Sequence, residues 1–210
     1  MIRLSIDPIA PDAGVIKAAV RAIRAGGIVA MPTDTLYGLA ANPFDTAALA
    51  AIQLLKERPT ERAIPLVAAD VDQIAATLGV LPMLARLLAI RFWPGPLTML
   101  MPAPQRLPAE VTGGTGRVGV RVPAHAVARA LCAACGTPLT ATSANKSGQP
   151  ATNDPDAVAE SMGAGIDLLL DGGVTPGGPP STIIDVTDAT PRVIRQGAIP
   201  WEIIQTCLGL

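Results

Sequence analysis

The chain has 210 residues, half of them hydrophobic and 2% aromatic, with a formal net charge of −1 and a mean hydropathy of +0.42. That length supports one sizeable core, so a single domain over 1–210 is expected. The most apolar region, Leu81 to Leu100, is broken by Arg86, Arg91, Pro94 and Pro96 and falls short of the ~20 apolar residues of a spanning helix,; "MIRLSIDPIAPD" lacks a signal-peptide apolar region, so a cytoplasmic protein away from membranes is expected,.

In chain order, "GVIKAAVRAIRA" (14–25) places Ile16, Val20 and Ile23 on one helical face and Lys17, Arg21 and Arg24 on another, which predicts an amphipathic surface helix,. Gly26 and Gly27 stop it, and "IVAM" reads as a short buried strand,. Next comes "MPTDTLYGLAAN" (31–42), where Thr33, Asp34 and Thr35 precede the only tyrosine, Tyr37; Asp34 reads as a turn organiser,. A second helix fits 45–56 with Asp45 as its cap, "AIPLVAA" (63–69) reads as a strand, and Asp70 caps the helix that follows,. Pro82 opens a helix running to about Phe92, and "WPGP" (93–96) is a rigid turn into the strand "LTMLM",.

The strand "RVGVRV" (117–122), an Ala-rich helix through Cys135 and the strand "PLTATSA" (138–144) come next. They are followed by a helix near 154–162, the strand and turn "DLLLDGG" and a Gly/Pro loop "GGVTPGGPP" (172–180). The strands "STIIDV" (181–186) and "RVIRQG" (192–197) and a helix from Trp201 end the chain. Strands and helices mix without a strict βαβ period, which predicts an α/β domain with a twisted mixed β-sheet and flanking helices.

Charge is unevenly spread. Between Arg86 and Lys146 there are seven bases and one acid, Glu110, whereas from Ser147 to Pro191 there are seven acids and no base. Such polarity can be solvated surface, but it also marks where an anion could be held. In "RVGVRV" the alternation of a strand puts Val118, Val120 and Val122 on one face and Arg117, Gly119 and Arg121 on the other,. Two arginines so close, with no acid nearby in sequence, read either as an open sheet face in water or as a phosphate or carboxylate clamp. In the second reading Gly119 leaves room for the ligand. "LLKERP" (54–59) ends a helix with Lys56 and Arg58 and turns at Pro59 into a loop holding Arg62. "TATSANKSG" (140–148) runs off a strand end into Ser143, Asn145 and Ser147, where hydroxyls and turn N–H groups can cradle phosphate,.

Cys132 and Cys135 form a C-x-x-C, but with the remote Cys207 and the single histidine, His125, they make a poor zinc set and read as small packed side chains,. No protein metal site is expected. There is no phosphate loop, dinucleotide fingerprint or nucleophile elbow, so any chemistry rests on positioning and positive charge.

The stretches "PTDTLYGLAAN", "KERP", "FWPGPLT", "GRVGVRVP", "TSANKSG", "STIIDV" and "RVIRQGAI" run over nearly the whole chain, in an order that resembles the YrdC family, the threonylcarbamoyl-AMP synthases. The resemblance implies a concave α/β fold with a basic ligand cleft. It implies that L-threonine, bicarbonate and ATP, the last with Mg2+, give threonylcarbamoyl-AMP and pyrophosphate. That product feeds N6-threonylcarbamoyladenosine formation at adenosine 37 of tRNA, through separate transfer machinery. By the same resemblance Lys56, Arg58, Ser143 and Asn145 form the catalytic tetrad. Thr35, Arg121 and Ser181 contact threonine, and Arg58, Arg62, Arg117, Ser143 and Arg195 contact the nucleotide. The likeness is to a short form without the extra C-terminal domain of some relatives.

Two other readings compete. The basic 86–146 segment could face tRNA or another double-stranded RNA, although few aromatics are available for stacking. A sibling enzyme could make a carbamoyl-adenylate from another donor, although flanking acylphosphatase and zinc-finger segments are missing.

Overall fold

The structure, a computed structural model, describes residues 1–57 and 62–209. Its first half contains β1 (Ile2–Ser5), α1 (Ala13–Arg24), β2 (Val29–Met31), β3 (Gly38–Ala40), α2 (Thr46–Leu55), β4 (Leu66–Val67), α3 (Val71–Leu78), α4 (Met83–Phe92) and β5 (Leu97–Pro102). The second half contains α5 (Ala109–Thr112), β6 (Arg117–Arg121), α6 (Ala126–Cys135), β7 (Leu139–Thr140), β8 (Thr142–Ser143), α7 (Pro155–Met162), β9 (Leu168–Asp171), β10 (Thr182–Asp185), β11 (Arg192–Arg195) and α8 (Trp201–Leu208). Helix starts follow their caps. Asp12, Asp45, Asp70 and Asp154 each accept an N–H from the first turn of α1, α2, α3 and α7, an arrangement worth about 1 kcal/mol against alanine.

The α/β class, the mixed pairing and the flanking helices are as expected, but the strands divide between two sheets. One has the order β1-β9-β2-β3-β8 and the other β11-β10-β5-β6-β4-β7. Each combines parallel and antiparallel neighbours: β9 runs parallel to β1 and β2, while β3 is antiparallel to β2 and β8. In the second sheet β5 is parallel to β10 and antiparallel to β6. The expected strand at 138–144 breaks at Ala141, so that β7 joins the second sheet and β8 the first. Thr140 forms the joint: its Oγ1 accepts from Ala41 N at 2.8 Å and donates to Leu39 O at 3.1 Å, while Ala141 N donates to Pro65 O at 2.8 Å. Leu139, Thr140, Thr142 and Ala144 are buried on either side of the switch while Ala141 and Ser143 are half-buried, so the pattern of the run shows no break there.

Two apolar clusters fill the molecule. Ile16, Val20 and Ile23 of α1 meet Val127, Leu131 and Cys132 of α6 against Val29, Met31, Leu168 and Leu170. On the other side Leu39, Leu49, Ile52, Leu88, Met99, Val118, Val120 and Leu169 pack together. Leu168, Leu169 and Leu170 thus point alternately into both clusters, which is why a strand with parallel neighbours reads as unbroken leucine. Each fully buried aliphatic side chain contributes about 1.5–3 kcal/mol.

In β6, Val118 and Val120 enter the core as their alternation predicts. Gly119 departs from expectation. A Cβ there would lie 3.3 Å from Leu100 Cδ2 and Thr98 Cγ2 and 3.5 Å from Pro65 Cβ. The space above this glycine is filled by neighbouring side chains, so close packing, rather than room for a ligand, requires it.

Candidate functional site

The turn after β2 is shaped by Thr33, whose Oγ1 donates to Leu36 O at 2.7 Å and accepts from Thr35 N at 3.2 Å. Asp34 is therefore not the turn's organiser. Its carboxylate pairs with Arg121, at the far end of β6. Arg121 is 7% exposed; its Nε donates to Gly95 O at 3.0 Å and its Nη1 lies 3.4 Å from Thr35 Oγ1. Burial lowers its pKa while Asp34 acts in the opposite sense. Asp34 Oδ2 and His125 Nδ1, both buried, have no hydrogen-bond partner among the described residues. Burial also holds the His125 imidazole below its usual range, again against the pull of Asp34.

Beside Gly95 the chain enters β5, and Thr182 N donates to Pro96 O at 3.0 Å. This brings Ser181 next to the Arg121 anchor. Ser181 Oγ lies 2.9 Å from Thr98 Oγ1, and Arg195 Nη2 donates to Ser181 O at 2.7 Å and to its Oγ at 3.2 Å. Burial, and then the positive charge of Arg121, lowers the Arg195 pKa. Thr35, Arg121, Ser181 and Arg195, far apart in sequence, therefore form one wall. Arg117 sits two positions before Gly119 and pairs with Asp185 at 2.5 Å. Burial raises the Asp185 pKa, but its bonds from Thr187 and the Arg117 charge outweigh this, and the net shift is downward. Each β6 arginine thus has a carboxylate from a remote segment, which the absence of acids nearby in sequence had concealed.

A second group gathers at β8, the edge strand of the first sheet. Lys56, only 2% exposed, ends α2 and donates from Nζ to Ser143 O at 2.5 Å and Asn145 O at 2.6 Å. Ser147 N returns a bond to Lys56 O at 2.8 Å. Asn145 Nδ2 holds Lys146 O and Gln149 O, and its Oδ1 is buried with no partner among the described residues. Ser143 pairs with Gly38 in the register of β3 and β8, which ties this group to the Thr35 turn. Lys56, Ser143 and Asn145 are therefore gathered as expected. Arg58, expected in both the catalytic and nucleotide sets, lies outside the described residues, and Arg62 is exposed.

The bases of the 86–146 segment differ in their surroundings. Arg121 is buried, Arg117 and Lys146 pair with Asp185 and Glu57, and Arg86, Arg106 and Arg129 donate to backbone carbonyls. Cys132 is buried with Sγ donating to Val67 O at 3.4 Å, and burial pushes its thiol pKa up. Among the described residues no three His, Cys, Asp or Glu side chains cluster to hold a metal, and no helix is long and apolar enough to cross a membrane. The sequence reading missed Asp34 as a partner of Arg121 and missed Asp185; no local pattern marks a pairing across such separations.

A family model described as Telomere recombination, Sua5/YciO/YrdC, matches residues 21–197. The threonylcarbamoyl-AMP synthase of Pyrococcus abyssi is 40% identical over 194 residues, which span 92% of this chain and 57% of that protein. That of Bacillus subtilis is 37% identical over 195 residues, spanning 92% of this chain and 56% of that protein. The crystal structure of P. abyssi Sua5 complexed with L-threonine is similar with a TM-score of 0.94 at 37% identity, over 100% of this chain and 61% of that one. The chain thus spans a little over half the length of these relatives.

Proposed function

The chain belongs to the Sua5/YrdC family, and from that premise we propose that it is a threonylcarbamoyl-AMP synthase, converting L-threonine, bicarbonate and ATP to threonylcarbamoyl-AMP and pyrophosphate. The observation that carries this reading is the buried Arg121 guanidinium, engaged by Asp34 and the Gly95 carbonyl and facing the Thr35 hydroxyl. A buried cation of fixed orientation beside hydroxyls suits the carboxylate and side chain of a small hydroxy amino acid. The complex of P. abyssi Sua5 with L-threonine supports the same ligand here.

The chemistry follows from charge. The threonine amine and bicarbonate condense to a carbamate with loss of water. A carbamate oxygen then attacks the α-phosphorus of ATP, a new P–O bond forms, and the bond to the β-phosphate breaks to release pyrophosphate. Two anions must approach each other. Arg195, Arg117, Lys56 and Arg58 would lower that repulsion and stabilise the departing charge, with Ser143 and Asn145 shaping the nucleotide's seat and Arg62 at its margin. Magnesium arrives with ATP as part of the substrate and adds Lewis-acid polarisation. The adenylate is then consumed by tRNA threonylcarbamoyl transfer machinery in the cytoplasm.

The test is pyrophosphate release from ATP and bicarbonate with and without L-threonine. Threonine-dependent release is expected. ATP turnover that another acceptor supports better would favour the carbamoyl-adenylate sibling, and salt-dependent tRNA binding without any turnover would favour the RNA module.

A further inference from the structure

The Gly/Pro loop 172–180 leaves β9 in the first sheet and delivers the chain to Ser181 and β10 in the second. Its first half is stitched to the Thr35 turn. Tyr37, fully buried, donates from its hydroxyl to Gly173 O at 2.7 Å and accepts from Gly172 N at 3.2 Å. Asn153 and Thr175 exchange two bonds, Thr175 N to Asn153 O at 2.9 Å and Asn153 Nδ2 to Thr175 O at 3.0 Å. Two donors then converge on one atom. Thr175 Oγ1 donates to Thr35 O at 2.8 Å and Gly177 N donates to the same oxygen at 2.9 Å. Thr175 is 5% exposed, and Gly177 makes its contact with a φ of 71°, in the left-handed region that favours glycine,. Gly178 to Pro180, by contrast, are exposed.

Both lone pairs of the Thr35 carbonyl are thus occupied by this loop, while Thr35 Oγ1 faces Arg121 and Thr33 Oγ1. Fixing the carbonyl holds the peptide plane that follows Thr35 and so restrains the backbone that carries its hydroxyl, whose own direction is set by Arg121 and Thr33 Oγ1. We propose that Thr175 is a positioning residue that sets affinity for L-threonine by clamping the Thr35 carbonyl, so that the loop between the sheets is a brace for the amino-acid subsite. This rests on the reading that threonine binds at Thr35 and Arg121. ATP, whose expected contacts lie on other segments, should be indifferent to it.

The test compares Thr175→Val, which keeps the shape and removes the hydroxyl, with Thr175→Ser, which keeps the hydroxyl. Threonine binding is measured by titration calorimetry, and KM for threonine and for ATP by pyrophosphate release. Thr175→Val is expected to weaken threonine binding and raise its KM about tenfold, with KM for ATP and kcat within about twofold, and Thr175→Ser should stay near wild type. Asn153→Ala, which loosens the loop but spares the hydroxyl, should shift threonine affinity in the same sense by less, and serves if the valine variant does not fold. Unchanged threonine affinity in folded Thr175→Val, or equal changes for threonine and ATP, would overturn the positioning role alone. Wild-type protein that binds no L-threonine would overturn the synthase reading and this inference with it.

Discussion

Arg121 and Asp34 stand 87 positions apart and meet in an ion pair whose side chains are only 9% and 11% exposed. The pair orients the guanidinium that faces Thr35, so its removal should be felt in both stability and binding. A buried charge left without its partner costs about 3–5 kcal/mol. Asp34→Ala is expected to lose stability at the lower end of that range in urea unfolding, and to weaken threonine binding. Adding Arg121→Met should restore most of the stability but none of the threonine binding. A double variant as unstable as the single one would show that the pair is not what links these positions.

Lys56 carries a second prediction. Its ammonium holds the backbone of Ser143 and Asn145, so Lys56→Ala should lower stability by about 1–3 kcal/mol and threonine-dependent turnover by about 100-fold or more. Threonine affinity, served by the other wall, should change little. Calorimetry beside a turnover assay separates these effects.

Tyr37 makes alkaline stability diagnostic. Burial pushes its phenol up to about 12, partly opposed by the Gly172 N–H bond. The unfolded chain releases this proton near the usual ~10, while the folded chain retains it. Its contribution is therefore full below pH ~10 and is lost as pH rises from there towards about 12,. Tyr37→Phe should cost about 1–3 kcal/mol at neutral pH, since Gly172 N and Gly173 O lose their partner,. The alkaline fall in melting temperature should be shallower than in wild type.

His125 acts at the other end of the scale. Its imidazole is held below the usual range by burial, so as pH falls below ~6.5 the unfolded chain takes up a proton before the folded one. The stabilisation is full above that value and declines as pH drops through the depressed folded value. His125→Gln should flatten the loss of melting temperature on the acid side, and a variant with an unaltered acid limb would refute this assignment.

Gly119→Ala tests the packing of β6. The added methyl would press on Leu100, Thr98 and Pro65, with an expected loss of about 1–3 kcal/mol. Since the crowding is against neighbours rather than a ligand, denaturant unfolding should register it in the absence of any substrate.

The elements themselves were legible from local pattern. Aspartate caps at Asp45 and Asp70, the amphipathic spacing of Ile16, Val20 and Ile23, and the alternation of Val118 and Val120 depend on neighbours within a few residues, and the structure carries each of them. Lys56, Ser143 and Asn145, grouped by the resemblance to the YrdC family rather than by local pattern, are also brought together by the fold. Other features required contacts between distant segments. The sheet switch at Ala141 lies inside one short run in which Thr140, Thr142 and Ser143 interleave with Leu139, Ala141 and Ala144, so neither face carries an alternation whose loss would mark the break. The partners of Arg117 and Arg121 are Asp185 and Asp34 because the β10–β5–β6 pairing and the turn after β2 carry those carboxylates across the molecule. Local propensity acts over one turn of chain, whereas charge pairing and close packing act through space, and so the chain's elements could be read from its residues while the site's electrostatics emerged only when it folded.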